Sequence, residues 1–239
     1  DLTGILNGVD YAEWDPATDE LIPANFTDSD LSGKSACRRK LLKEFGLKAK
    51  ASRPVIGMVT RLAGQKGIDI LAEAIPELMQ LDIALIILGS GDRAYQELLT
   101  ALARRYPEKL SVKIAFNGGL SHLVEAGSDM FLMPSKYEPC GLNQIYSLKY
   151  GTVPIVRATG GLDDTVRDFS IDGANGFKFK EYLAEALAEK VKEAVGVFSD
   201  KKAWAELQKR GMKEDFSWDD AAKKYIEVYG KAKARLLKS

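Results

Sequence analysis

Cysteine and histidine are scarce in this sequence, and net charge is absent. Two cysteines, Cys37 and Cys140, lie far apart among 239 residues, and a single histidine, His122, accompanies them. That inventory excludes a disulfide scaffold and cannot supply the four ligands of a structural zinc site. Thirty-four basic residues balance thirty-four acidic ones, which removes the long-range field that would gather a nucleic acid or an anionic membrane. Any phosphate must therefore be held locally. No apolar run approaches the roughly 18 residues of a membrane span, and the opening Asp1-Leu2-Thr3-Gly4 lacks the basic and apolar regions of a secretory signal. A soluble protein of a cytoplasm-like compartment is expected. The missing initiator methionine points to a chain cut from something longer.

What is present is regular. Apolar residues make up 46% of the chain, enough at this length for one sizeable core. After an irregular stretch rich in Pro, Asp and Asn (residues 15–30), residues 34–45 read as a short helix that Gly46 stops. Short β-branched or apolar runs at residues 55–59, 83–88, 112–115, 130–133 and 153–156 then alternate with segments of helical period. Continuous apolar runs, rather than in/out alternation, mark strands covered on both faces. The expected fold is therefore α/β, a doubly wound, Rossmann-like parallel sheet. Residues 182–197, 201–211 and 219–237 are amphipathic patterns with no intervening strand of comparable strength, and they predict a C-terminal helical extension over 182–239. An irregular lead-in occupies residues 1–30 and the sheet domain residues 31–239. The basic tail, Lys231, Lys233, Arg235 and Lys238, is read as complementing a helix dipole rather than as a docking patch.

Ligands of open α/β sheets bind at the carboxyl ends of strands, so the turns after these runs hold the candidate residues. Thr60 to Gly67 places Arg61 and Lys66 around a glycine-containing turn. A guanidinium fork and an ammonium so spaced suit a diphosphate, and equally suit a pair of solvated surface cations. Gly89-Ser90-Gly91-Asp92 lacks both the third glycine of dinucleotide binders and the Lys-Ser/Thr of a P-loop, and reads as a turn starting a helix. The segment from Pro134 to Gln144 follows a strand and leads into a helix beginning near Gly141. Its Glu138 can bond sugar hydroxyls while the helix N–H groups attract phosphate. Thr159-Gly160-Gly161-Leu162 bares backbone N–H groups before the acidic residues Asp163 and Asp164, or is simply a flexible turn. His122 is read as a satisfied structural histidine ahead of a ligand contact, and Cys140 as an apolar gap-filler ahead of a nucleophile. Phe116 can stack on a base or close the core. No second carboxylate can be fixed as a partner for Glu138, which leaves hydrolase chemistry unsupported.

Taken in order, these segments resemble the second half of the bacterial glycogen synthase and plant starch synthase family of GT-B glycosyltransferases. The resemblance runs from Gly4-Ile5-Leu6-Asn7-Gly8-Val9-Asp10 through Arg61-Leu62, Gln65-Lys66-Gly67, Gly89-Ser90-Gly91-Asp92 and Glu138-Pro139-Cys140-Gly141-Leu142. It continues through Tyr150-Gly151-Thr152-Val153-Pro154 and Thr159-Gly160-Gly161-Leu162 to Asp215-Phe216-Ser217-Trp218. It implies transfer of glucose from ADP-glucose to an α-1,4-glucan with retention, with ADP as product and neither metal nor cofactor required. By that resemblance Arg61 and Lys66 neutralise the departing diphosphate, and Glu138 bonds the glucose hydroxyls. Backbone N–H groups at Cys140, Gly141 and Leu142, with the Asn143 side chain, hold glucose and the distal phosphate. Phe116 packs against adenine, Thr159 and Gly160 lie near the donor, and His122 matches a family histidine near the site. Where many retaining GT-B enzymes carry a second glutamate eight positions after the first, this sequence has Tyr146, as this family generally does.

The family's Lys-x-Gly-Gly motif, acceptor surface and catalytic histidine belong to an N-terminal domain, and this chain begins where that domain ends. The expectation is a donor-binding domain with little or no transferase activity alone, because the acceptor and half of the water-excluding cleft are missing. Cytoplasm, or plastid stroma for a plant or algal source, is the implied compartment. The rival is a stand-alone, non-catalytic nucleotide or glucan binding module; an NAD-dependent dehydrogenase is disfavoured by the absent fingerprint. The face meeting the missing half, including parts of the C-terminal helices, is expected to be unusually apolar and to favour self-association.

Overall fold

Residues 2–236 are described by the computed structural model. The five apolar runs are all strands: β1 (Val55–Leu62), β2 (Ala84–Gly91), β3 (Leu110–Ile114), β4 (Met130–Met133) and β5 (Val153–Arg157). A sixth, β6 (Phe177–Phe179), is too short to stand out in the sequence. All pairs are parallel, in the order β3-β2-β1-β4-β5-β6. The helices are α1 (Ser32–Glu44), α2 (Ile68–Leu78), α3 (Arg93–Arg105), α4 (Gly118–Gly127), α5 (Asn143–Lys149) and α6 (Gly161–Thr165), followed by α7 (Ala184–Phe198), α8 (Lys201–Met212) and α9 (Trp218–Leu236).

Two cores on opposite faces of the sheet explain the continuous apolar runs. Ile56, Met58, Met130 and Leu132 pack under α2 and α7. Their neighbours Val55 and Phe131 point the other way, under α1 and α4. A strand buried on both faces has no polar side to show. Gly57 is a packing requirement: a Cβ there would lie 2.4 Å from Ser128 Oγ and 2.7 Å from Val124, so only glycine lets α4 approach β1 this closely.

Three boundaries differ from the sequence reading in ways that matter below. β1 continues through Thr60, Arg61 and Leu62, and β2 through Gly89, Ser90 and Gly91, because the two strands pair residue for residue to their ends. Arg61 is therefore a strand residue, and the Gly-Ser-Gly segment is ladder rather than turn. The helix expected near Gly141 starts at Asn143.

Residues 2–30 contain no helix or strand, only an isolated bridge from Val9 to Ser217. They are nonetheless fixed: Trp14 is stacked between His122 and Tyr146, with ring centroids 3.8 and 3.9 Å away. At the other end, α9 leaves the body. Ala221 is buried at its root, but Tyr225, Ile226 and Tyr229 are exposed, an apolar stripe of the kind expected on these helices. Lys231, Lys233 and Arg235 lie on α9; Lys238 is outside the described residues.

Candidate functional site

The sheet order changes direction between β1 and β4, since the chain winds outward from β1 through β2 and β3 and then returns to β1's other side. The segments leaving such neighbouring strands diverge and leave a crevice at their carboxyl ends. Two cavities occupy it. One, of about 570 Å³, is lined among others by Trp14, Arg61, Leu88, Phe116, Glu125 and Asn143. The other, of about 180 Å³, is lined by Arg61, Lys66, Ser135, Glu138, Leu142 and Asn143 among others. Arg61 and Asn143 belong to both, so the two chambers form one continuous site.

Backbone contacts bring the smaller chamber's residues together. The turn after β1 is a single 3-10 turn, Gly64–Lys66, closed by Gly67 at φ +74°. A Cβ on Gly67 would sit 2.1 Å from Pro134 O, which places this turn directly against the β4–α5 segment. Lys136 N donates to Gln65 O at 2.9 Å, and Gln65 Nε2 donates to Tyr137 O at 3.1 Å. Arg157 Nη1 braces the same segment by donating to Lys136 O at 2.8 Å. Lys66 and Glu138 consequently meet, with Nζ donating to Oε2 at 2.5 Å. Asn143 Nδ2 donates to Val59 O at 2.7 Å, pinning the start of α5 to the end of β1. Gly160, at φ +48°, lies against the back of Glu138: its Cβ would be 2.1 Å from Glu138 O, and Gly161 N donates to that oxygen at 3.1 Å.

Arg61, Lys66, Glu138, Gly141, Leu142 and Asn143 thus converge on one chamber. Arg61 is exposed and its guanidinium has no partner among the described residues. Phe116 is 98% exposed at the mouth of the larger chamber. That excludes core closure and leaves a free ring face. Cys140, Thr159 and Gly160 line neither chamber; of the three, Gly160 packs against Glu138 O from behind. His122 is buried, with Nδ1 2.8 Å from Asp19 Oδ2, while Tyr150 Oη donates to the same oxygen at 2.6 Å. Its ring touches the larger chamber, but its position is fixed by Asp19 and by Trp14 stacking, the structural role preferred from sequence.

Glu13, Trp14 and Glu125 are among the lining residues that escaped the sequence reading. Glu13 and Trp14 come from the irregular lead-in, which has no period to interpret. Glu125 sits inside α4, 2% exposed, and burial pushes its carboxyl well above the usual range. Hydrogen-bond arithmetic agrees. Ser147 has one hydroxyl proton, and its Oγ lies 2.6 Å from Asn143 O and 2.9 Å from Glu125 Oε2. If the proton goes to the carbonyl, which can only accept, Glu125 must be the donor and hence protonated. The buried cation Lys34 makes no hydrogen bond to this carboxyl, although its charge works against the shift: Lys34 Nζ donates to Ala126 O, Tyr150 O and Thr152 Oγ1 at 3.0, 3.0 and 2.6 Å, which uses all three protons, and burial pulls its pKa down to about 8. Among the described residues no cluster of three or more His, Cys, Asp or Glu could hold a metal, and no helix is long and apolar enough to cross a membrane.

Residues 41–213 match the family model described as glycosyl transferases group 1. The glycogen synthase of Koribacter versatilis is 50% identical over 234 residues, 97% of this chain but 48% of that protein. The glycogen synthase of Anaeromyxobacter sp. (strain K) is 53% identical over 230 residues, covering 96% of this chain and 48% of that protein. Among solved structures, the catalytic domain of starch synthase IV from Arabidopsis thaliana, bound to ADP and acarbose, superposes with a TM-score of 0.90 at 35% identity, over 95% of this chain and 48% of that one. The chain spans about half the length of the curated relatives it matches.

Proposed function

The chain belongs to the group 1 glycosyl transferases, and from that premise we propose that it is the nucleotide-sugar-binding half of a retaining α-1,4-glucan glucosyltransferase that takes ADP-glucose as donor. The observation carrying this reading is the pairing of the two chambers. The larger has an exposed aromatic ring at its mouth and apolar walls suited to a nucleoside; the smaller gathers two cations and one carboxylate, suited to a sugar and phosphate. A ligand spanning both has a base at one end, a sugar at the other and charge between them, which describes a nucleoside diphosphate sugar. Adenine rather than uracil is favoured by the ADP in the Arabidopsis relative.

Each side chain then has a task. Phe116 stacks on the base. Arg61 and Lys66 neutralise the diphosphate, where negative charge develops as the bond to the anomeric carbon breaks. Glu138 accepts hydrogen bonds from glucose hydroxyls, while the N–H groups of Cys140, Gly141 and Leu142 and the Asn143 side chain hold glucose and the distal phosphate. Thr159 and Gly160 fix the segment that carries Glu138, and His122 with Trp14 forms the wall beneath. The lead-in of residues 1–30 would join this domain to a preceding one that supplies the glucan site and the opposing wall of the cleft. The chain spans about half the length of its curated relatives, so the chain alone is proposed to bind donor and not to elongate glucan. The cytoplasm, or a plastid stroma, would house the whole enzyme.

The test is a transfer assay with labelled ADP-glucose and a maltooligosaccharide acceptor, run on this chain and on the chain joined to the N-terminal half of a relative. Label entering glucan only in the joined protein is expected. Transfer by the chain alone contradicts the requirement for a second wall, and no transfer by a folded, joined protein contradicts the assigned reaction.

A further inference from the structure

Two of the three charged groups lining the smaller chamber are paired with each other. Lys66 Nζ and Glu138 Oε2 are 2.5 Å apart, with side-chain exposures of 21% and 9%. Ser135 Oγ donates to the same oxygen at 3.3 Å. Glu138 is the sole carboxylate among the residues lining this chamber. Its backbone is clamped on both sides, by Gly160 and Gly161 behind and by the Gln65–Lys136 and Gln65–Tyr137 contacts in front. It therefore has little freedom to retreat from an incoming anion, and the chamber's 180 Å³ leaves little distance to spare.

Charge counting turns this into discrimination. A free nucleoside diphosphate carries one more negative charge than the same diphosphate esterified to a sugar. Both ligands draw Lys66 away from Glu138, but only the nucleotide sugar returns something to the carboxylate, its hydroxyl donors. We propose that Glu138 sets the preference of this site for the intact nucleotide sugar over the free nucleoside diphosphate, holding the donor and helping to expel the product once the sugar has gone. The inference rests on the nucleotide-sugar reading above. It adds to that reading a role for Glu138 in rejecting a ligand, beyond its role in binding one.

The experiment is calorimetric titration of the 239-residue chain with ADP and with ADP-glucose, repeated on Glu138→Gln and Glu138→Asp, with a thermal melt on each. Gln removes the charge and keeps the shape; Asp keeps the charge and shortens the reach. The expected result is that Gln binds ADP more tightly than wild type and ADP-glucose more weakly, so that the ratio of their Kd values falls about tenfold or more. Asp should weaken ADP-glucose but leave ADP close to wild type. A purely structural role predicts that both variants weaken both ligands together with the melt, and that result overturns the inference. A Kd ratio unchanged in folded Glu138→Gln overturns it as well. Wild type binding neither ligand would overturn the nucleotide-sugar reading itself, an outcome distinct from binding both without discrimination.

Discussion

Replacing Glu125 by Gln should stabilise the protein, by an amount that grows with pH. Burial holds the native carboxyl's pKa well above 4.5, the ordinary value near which it ionises in the unfolded chain. Below that pH both states carry the proton and the residue is neutral towards stability. Above it the unfolded state loses its proton while the native state keeps it, so native stability falls as pH rises, until the native carboxyl itself ionises. The penalty is about 1.4 kcal/mol for each pH unit above the ordinary value. Gln does not titrate, and its side-chain amide can keep a hydrogen bond with Ser147 Oγ. Titrating groups that do not interact with Glu125 are common to both proteins and cancel in the difference to first order. Urea unfolding of both proteins at a series of pH values should show stabilities within about 1 kcal/mol of each other near pH 4.5. The advantage of Glu125→Gln should then widen at about 1.4 kcal/mol per pH unit before levelling off. A difference that stays constant with pH would mean that Glu125 is ionised in the native chain and that the proton assignment at Ser147 is wrong.

Further expectations follow from the same geometry. Phe116→Ala should leave stability within about 0.5 kcal/mol of wild type, because the ring is almost fully exposed, yet weaken ADP by about 1–3 kcal/mol, the usual worth of a base stacked on an aromatic; unchanged affinity in a titration would place the base elsewhere. Gly160→Ala combines a strained φ with a backbone clash against Glu138 O. It should cost about 1–3 kcal/mol in urea unfolding and weaken ADP-glucose, whereas a full-strength site would show that this turn does not position Glu138. The exposed stripe of Tyr225, Ile226 and Tyr229 should drive concentration-dependent association in sedimentation that Ile226→Lys abolishes; a wild type that stays monomeric at high concentration removes that expectation.

The sheet was legible because strands buried on both faces have no choice but to be apolar, and four of the six announce themselves that way, while β3, at the sheet's edge and only partly buried, shows as a short β-branched run. β6 does not, since three residues with Lys178 in the middle carry no period, and it is recruited by the edge of β5. Arg61, Lys66, Glu138 and Asn143 could be found because ligands of this architecture sit at strand ends, where cations, glycines and a carboxylate stand out. Local propensity misplaced the ends of β1 and β2, where glycines suggested a turn. Mutual pairing of the two strands wins there: a Cβ on Gly89 would lie 2.0 Å from Thr60 O, so the glycine serves close strand contact rather than chain reversal. Trp14 and Glu125 were invisible for different reasons. Trp14 reaches the site through a long-range stack from an irregular segment, and Glu125 looks like an ordinary helix-surface carboxylate until the packing of α4 against α5 buries it.

Calorimetric titration of the chain with ADP, repeated on Arg61→Ala and Lys66→Ala, tests the central claim most directly. Saturable binding that each substitution weakens by about 1.5–3 kcal/mol, the worth of a charge-assisted contact, is the predicted result. It would put the diphosphate between the end of β1 and the turn that follows it. ADP binding that neither substitution alters would place the nucleotide elsewhere and contradict the assignment of this crevice as the donor site.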